Sequence, residues 1–304
     1  MPVQSSASPD LVISRTFRAP RRLVWQAWTD PAHIVKWWGP YRFSTPRAEI
    51  DLRPGGAIRF EMQGPGGRIY PSVGTVREVV EPERLAVVTS LLQGGEAIAE
   101  VLQVVTFEEH ADGTRVTLQA NVLRRTEAGA GPLAFMQEGW AQSLDRLASY
   151  ATTIASEREI VVTRRFRAPI ELVWDAWTSP AHLEKWWGPI GFTTTTSAFD
   201  FKPGGQWVHT MHGPDGTDYP NQITFREIVP GRRLSYSHSG GSDGEPTLAF
   251  DVTAVFERDE VGTRVTWRMT MTSAADRQRV IDEFGAYEGA LQTLDRLADL
   301  LRVP

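Results

Sequence analysis

The chain has 304 residues, of which 41% are hydrophobic and 23% charged, with 26 Gly, 20 Pro, no Cys and a formal net charge of −5. That arithmetic suits two ordinary globular domains and excludes collagen-like, low-complexity and mainly disordered classes. The missing cysteine excludes disulfides, thiolate nucleophiles, iron–sulfur clusters and cysteine-type zinc sites, and the negative charge argues against a nucleic-acid partner.

In chain order, Leu11–Phe17 is apolar and β-branched and predicts a first strand. It closes on Phe17-Arg18-Ala19-Pro20, which returns 149 residues later as Phe166-Arg167-Ala168-Pro169. From Thr16 to Pro40 the match runs without a gap, 18 of 25 positions being identical. A period this long is a duplicated domain rather than a solenoid, copy one being 1–154 and copy two 155–304. The seam near Thr152–Glu157 is so short that the copies are expected to pack as an intramolecular pseudo-dimer. The charge divides unevenly: residues 1–152 hold 16 Lys+Arg and 16 Asp+Glu, leaving 16 and 21, net −5, for the rest.

After the first strand, Pro20 and Pro169 suit the first position of a short helix. Asp30-Pro31 and Ser179-Pro180 read as N-cap and first residue of a second one, which stops before Gly39-Pro40 and Gly188-Pro189. About six strands follow, separated in copy one by Pro54-Gly55-Gly56, Gly64-Pro65-Gly66-Gly67, Glu81-Pro82-Glu83, Gly94-Gly95 and Asp112-Gly113. The Pro-Gly-Gly turns precede no helix or Lys and read as hairpin turns rather than phosphate loops. Each copy closes on one long amphipathic helix, with Leu133, Met136, Trp140, Leu144 and Leu147 on its stripe in copy one. In copy two the stripe is Val280, Phe284, Tyr287, Leu291, Leu294, Ala298 and Leu301. The result is an α+β domain, an antiparallel sheet wrapped around a long C-terminal helix with room for a cavity between them.

Trp-Trp-Gly-Pro after the short helices, Pro-Gly-Gly before a strand, Gly213-Pro214-Asp215-Gly216 to Tyr219-Pro220, and Arg226-Glu227-Ile228-Val229-Pro230 to Arg233-Leu234 form an ordered motif set. It resembles the Hsp90-ATPase-activator-homologue-1-like domains of the START/Bet v 1-like (SRPBCC) superfamily, twice, over nearly the whole chain. The resemblance implies two tandem helix-grip domains, each with a ligand cavity.

Strand alternation sorts the inward faces. In copy two these are Trp207, His209, Met211; Leu234, Tyr236, His238; Val252, Ala254, Phe256; and Val265, Trp267, Met269. Copy one has Ile58, Phe60, Met62; Leu85, Val87, Thr89; a mixed stretch Leu102 to Val105; and Val116, Leu118, Ala120. Copy two is thus the more polar and aromatic inside. Two readings stand for His209 and His238. Each is a core histidine satisfied by a backbone or tyrosine partner, or they converge with Tyr236 and Tyr219 on a small molecule, where an imidazole titrating near neutrality could move a proton. Trp186-Trp187 and Trp37-Trp38 either close one end of the core or line a cavity mouth. The candidate ligand contacts are these residues together with Trp207, Met211, Trp267, Phe284 and Tyr287 in copy two and Phe60, Met62 and Trp140 in copy one. His209 and His212 face opposite ways with no third ligand, so no metal is expected. With no dinucleotide fingerprint, Walker loop or nucleophile elbow, no cofactor is expected.

The leading expectation is a module that carries, sequesters or confers resistance to a small hydrophobic or aromatic molecule, mainly in copy two; a structural copy one, standing in for half of a homodimer, is a separate possibility. An aromatase/cyclase-like enzyme using His209, His238 and Tyr236 is the alternative, and an Hsp90 co-chaperone-like factor a minor one. No apolar run reaches the ~20 residues of a membrane span and the opening MPVQSSASPD lacks signal-peptide order, so a cytoplasmic address without membrane contact is expected.

Overall fold

The computed structural model describes residues 8–240 and 248–302. The chain divides into two compact units, Met1–Ala155 and Ser156–Pro304. Unit one runs β1 (Leu11–Phe17), α1 (Arg21–Thr29), α2 (Pro31–Trp37), β2 (Ser44–Ile50), β3 (Ala57–Gln63), β4 (Ile69–Val80), β5 (Arg84–Gln93), β6 (Glu96–His110), β7 (Gly113–Arg125), α3 (Glu127–Ala134) and α4 (Met136–Ala155). Unit two repeats this as β8 (Glu159–Phe166), α5 (Ile170–Thr178), α6 (Pro180–Trp186), β9 (Thr193–Phe199), β10 (Gln206–His212), β11 (Asp218–Val229), β12 (Arg233–Gly240), β13 (Leu248–Asp259), β14 (Gly262–Met271), α7 (Ala274–Asp282) and α8 (Ala286–Leu300). Each unit has one seven-stranded sheet, ordered β1-β7-β6-β5-β4-β3-β2 and β8-β14-β13-β12-β11-β10-β9. Every strand pair is antiparallel, with the first strand seated beside the last. These are two tandem helix-grip domains of α+β class.

Local chemistry accounts for the elements. Asp30 caps α2, its carboxylate accepting from the Ala32 N–H at 2.9 Å, and Pro31 and Pro180 open α2 and α6. Pro20 and Pro169 lie one residue earlier than expected, extended at the N-cap of α1 and α5. Gly56 and Gly205 are required by close approach, since a Cβ there would lie 1.9 and 2.1 Å from the Asp51 and Asp200 carbonyl oxygens. The Pro-Gly-Gly segments are therefore tight turns between strands. Arg226 sits where the β11–β12 register shifts between Phe225 and Glu227, and Glu227 pairs with Arg233 across the hairpin at 3.1 Å. Glu78 and Arg84 do the same in unit one at 3.2 Å.

The closing helix differs from the expectation. In both units it is broken in two, between Ala134 and Met136 and between Asp282 and Ala286. Gly285 adopts a left-handed backbone, φ 57°, which ends the first segment and redirects the second. Side chains at steps of three and four continue across the interruption, so apolar periodicity alone does not reveal it.

The inward rows fall as alternation requires. Ile58, Phe60, Leu85, Val87, Val116, Leu118 and Ala120 join Leu144 and Leu147 in one buried cluster. In the mixed stretch Val105 faces this core, as does Val101 just before it, whereas Leu102 and Val104 pack with Ala86 on the opposite side. In unit two Trp207, His209, Leu234, Tyr236, Val252, Ala254, Phe256, Val265, Trp267 and Met269 are all buried. No helix of the described residues is long and apolar enough to cross a membrane.

Candidate functional site

Between the sheet of unit two and its closing helices lies a cavity of about 210 Å³. Its walls come from Trp187, Gly188 and Pro189 after α6, Met211 on β10, Tyr219 and Asn221 on β11, and Tyr236, His238 and Gly240 on β12. Phe250 and Val252 on β13, Trp267, Met269 and Met271 on β14, and Val280, Phe284, Ala286, Gly289, Ala290 and Thr293 on the helical side complete it.

A charged pair in α8 holds the Trp187 wall in place. Arg296 donates from Nη1 to the carbonyls of Trp187, Gly188 and Pro189 at 2.9–3.2 Å, and from Nη2 to that of Lys185 at 3.1 Å. Its neighbour Asp295 pairs with Arg164 of β8. In unit one Arg146 reaches the carbonyls of Trp38, Gly39, Pro40 and Phe43, and Asp145 accepts from the Tyr41 hydroxyl at 3.0 Å. The repeated Leu-Asp-Arg-Leu is therefore the clamp on the repeated Trp-Trp-Gly-Pro turn.

Of the candidates read from the sequence, Trp187, Met211, Tyr219, Tyr236, His238, Trp267 and Phe284 line the cavity together. Trp186 does not: it is fully buried, its indole donating to the Ala176 carbonyl at 2.9 Å, and Trp37 does the same to Ala27 at 2.7 Å. Trp207 and His209 stack on each other behind the Trp187 wall, ring centroids 3.9 Å apart, and Tyr287 is buried outside the lining. Asn221, Phe250, Met271, Ala286, Ala290 and Thr293 line the cavity without having been singled out. Asn221 stands two residues before buried Ile223 on β11, so alternation from Ile223 and Phe225 was the available signal. Its amide donates to the Tyr219 carbonyl at 2.7 Å.

The unit-one counterparts pack differently. Trp140, from α4, stacks on Trp28 at 6.0 Å and meets Trp38 edge-on at 5.1 Å, and Trp38 also contacts Phe60 at 4.7 Å. Met62 lies by the Gly39 turn as Met211 lies by Gly188. At the helix position of Trp140 unit two has Ala290, and the tryptophan that meets Trp177 and Trp187 is Trp267, from β14. The third tryptophan of the aromatic cluster has moved from helix to strand, which clears the helix side of the cavity. Where unit two has His238, unit one has Thr89, whose hydroxyl accepts from the Gln103 amide at 3.3 Å.

The polar groups here are neutral. Burial pushes the His238 pKa down to about 4. Burial, then the nearby His238, pushes His209 to about 3. The Trp207 carbonyl favours charged His209 slightly without closing a hydrogen bond, as neither ring nitrogen has a partner of normal geometry. Burial raises the Tyr236 pKa, so its hydroxyl keeps its proton. The expectation of imidazoles titrating near neutrality is not met, because the strands carry both rings out of water and no carboxylate of the described residues offsets that burial. Nor is His209 satisfied by a backbone or tyrosine partner. His212, on the opposite strand face, pairs with Asp218 at 2.6 Å. Among the described residues no group of three or more His, Asp or Glu is placed to hold a metal.

A seven-stranded antiparallel sheet gripping its closing helices defines the class, the helix-grip domain, present here twice. The chain belongs to the activator of Hsp90 ATPase homolog 1-like protein family, whose profile matches residues 18–152 and again residues 167–302. Among solved structures it is similar to a Mycobacterium smegmatis protein at 28% identity, covering 48% of this chain and 91% of that one, TM-score 0.44. A Chromobacterium violaceum protein matches at 25% identity over 49% of this chain and 100% of that one, TM-score 0.44. A protein from Arthrobacter aurescens matches at 26% over 49% and 88%, TM-score 0.46. No curated protein matches the chain.

Proposed function

We propose that unit two binds a small apolar or aromatic molecule in its cavity, as a carrier or sequestering protein, and that unit one is its structural companion. The observation that carries this reading is the lining: three methionines and the rings of Trp187, Tyr236, Phe250 and Trp267 around about 210 Å³. An apolar cavity of roughly 150 Å³ is known to stay dry and take up benzene, so this one has room for a one- or two-ring molecule. Burying about 250 Å² of apolar ligand surface contributes ~6 kcal/mol, an upper bound that corresponds to a dissociation constant of some tens of micromolar. The neutral imidazoles support a hydrogen-bonding role over acid–base chemistry at pH 7, where a group titrating near 4 neither holds a proton to give nor takes one readily.

Unit one supports the companion role because Trp140 fills from the helix side what Ala290 leaves open. The test is native mass spectrometry of freshly purified protein. A bound small molecule is expected. Ala290→Trp should release it with the fold retained by circular dichroism, and Trp140→Ala should leave it bound. Retention in folded Ala290→Trp would remove the assignment to this cavity.

A further inference from the structure

We infer that the unit-two cavity selects an uncharged, flat molecule of one or two rings that presents an oxygen acceptor to the Tyr236 hydroxyl. This rests on the ligand-binding reading above and adds the chemistry of the ligand.

The absence of charge comes first. Among the described residues that line the cavity there is no Lys, Arg, Asp or Glu, so a carboxylate or ammonium would meet no counter-charge from them, and its desolvation cost would stand. Flatness follows from the wall itself. The ring centroids of Trp187 and Trp267 are 5.5 Å apart with the planes tilted by 50°, and the His238 ring stacks on Phe250 at 4.5 Å and 25°, so the wall offers aromatic faces and edges to a ring. Met211, Met269 and Met271 supply polarisable sulfur around them.

The oxygen acceptor follows from the polar atoms. The Tyr236 hydroxyl and the Trp267 indole nitrogen belong to side chains 2% and 7% exposed, and neither closes a hydrogen bond of normal geometry. The indole N–H is nevertheless the hydroxyl's polar neighbour and favours its charged form against burial. An indole can only donate, so toward the hydroxyl it could engage only the oxygen, and the hydroxyl proton has no partner among the described residues. His238 lines the same space, with Nδ1 buried and unpartnered. Buried donors of this kind are rare unless something completes them. Among the described residues none of these three groups has a counterpart of its own kind in unit one. At the same strand positions unit one has Val87 and Leu118, and Thr89 is satisfied by Gln103. A ketone, quinone or aryl ether oxygen at the Tyr236 end would accept the free proton, while the rings fill the methionine-lined remainder.

The test is isothermal titration calorimetry of the full chain with 1-indanone, indane and benzoate, which are of similar size and differ in acceptor and charge. 1-Indanone is expected to bind at least ten-fold more tightly than indane, and benzoate not at all. In Tyr236→Phe the ratio of 1-indanone to indane affinity should fall to about one. The unliganded variant should unfold no earlier than the parent, because the hydroxyl it lacks closes no hydrogen bond of normal geometry within the protein. Trp267→Phe removes the polarising N–H together with part of the cavity wall, so it is read as the ratio of 1-indanone to indane affinity, which should fall about three-fold. Equal affinity for 1-indanone and indane, a preference that survives Tyr236→Phe, or binding of benzoate would overturn the acceptor rule and leave the cavity reading standing. Failure of both neutral probes to bind, with no co-purified molecule, would overturn both.

Discussion

A single guanidinium decides where the aromatic wall of each unit stands. Arg296 satisfies four carbonyls of the Lys185–Pro189 segment, three of them from one nitrogen, and burial lowers its pKa without removing its charge. Arg296→Met keeps the aliphatic stem but leaves those oxygens without a donor. We expect a loss of about 2–3 kcal/mol of unit-two stability, as for a charged hydrogen-bonding group removed from a partly buried site. Urea unfolding followed by near-ultraviolet circular dichroism reads it. Binding of neutral aromatics should weaken with it, because Trp187 is carried on the released turn. A variant with unchanged stability would show that the turn holds itself. Sequence alone gives the two repeated motifs but not their connection, since 109 positions separate Trp187 from Arg296 and only the fold brings them together.

Among the elements, strands were more legible than the closing helix, for a physical reason. A strand whose one face is buried writes its orientation into every second residue, so Trp207, His209 and Met211 were assigned inward correctly. Depth was not legible: alternation gives the face of His209 but not that it stacks behind Trp207, outside the cavity. The helix stripe Val280, Phe284, Tyr287, Leu291 looks continuous, yet the backbone turns left-handed at Gly285. This break places Phe284 and Ala286 on the cavity wall. Gly285→Ala forces a Cβ into that left-handed conformation and should cost about 1 kcal/mol. Nothing lies within 4 Å of the added atom, so the loss is conformational rather than steric. Thermal unfolding measures it, and the control Gly289→Ala, in the following helix, should be neutral or stabilising. Equal effects at the two positions would mean that the break is not fixed by the glycine.

For the whole molecule, the duplication made two units of one fold but gave them different answers to acid. Unit two buries His209 and His238 as neutral rings, with pKa values near 3 and 4 against an ordinary 6.5, whereas unit one has Phe60 and Thr89 at those positions. Folding lowers both values, so the unfolded chain takes up protons first as pH falls below about 6.5. The stability these groups contribute is complete above that pH and is lost on the way down to pH 4 and 3. A fully depressed imidazole withdraws ~1.4 kcal/mol per pH unit across this window, about 2 kcal/mol for His209 by pH 5. Hydrogen exchange read by mass spectrometry between pH 7 and 4.5 should therefore show peptides from 156–302 losing protection before those from 8–155. His209→Phe, which installs the unit-one residue, should hold unit two at or above its parent's stability at pH 7 and recover about 2 kcal/mol at pH 5. Loss of protection in both units together, or a pH profile indifferent to His209→Phe, would mean that the ring is solvated rather than sealed behind Trp207.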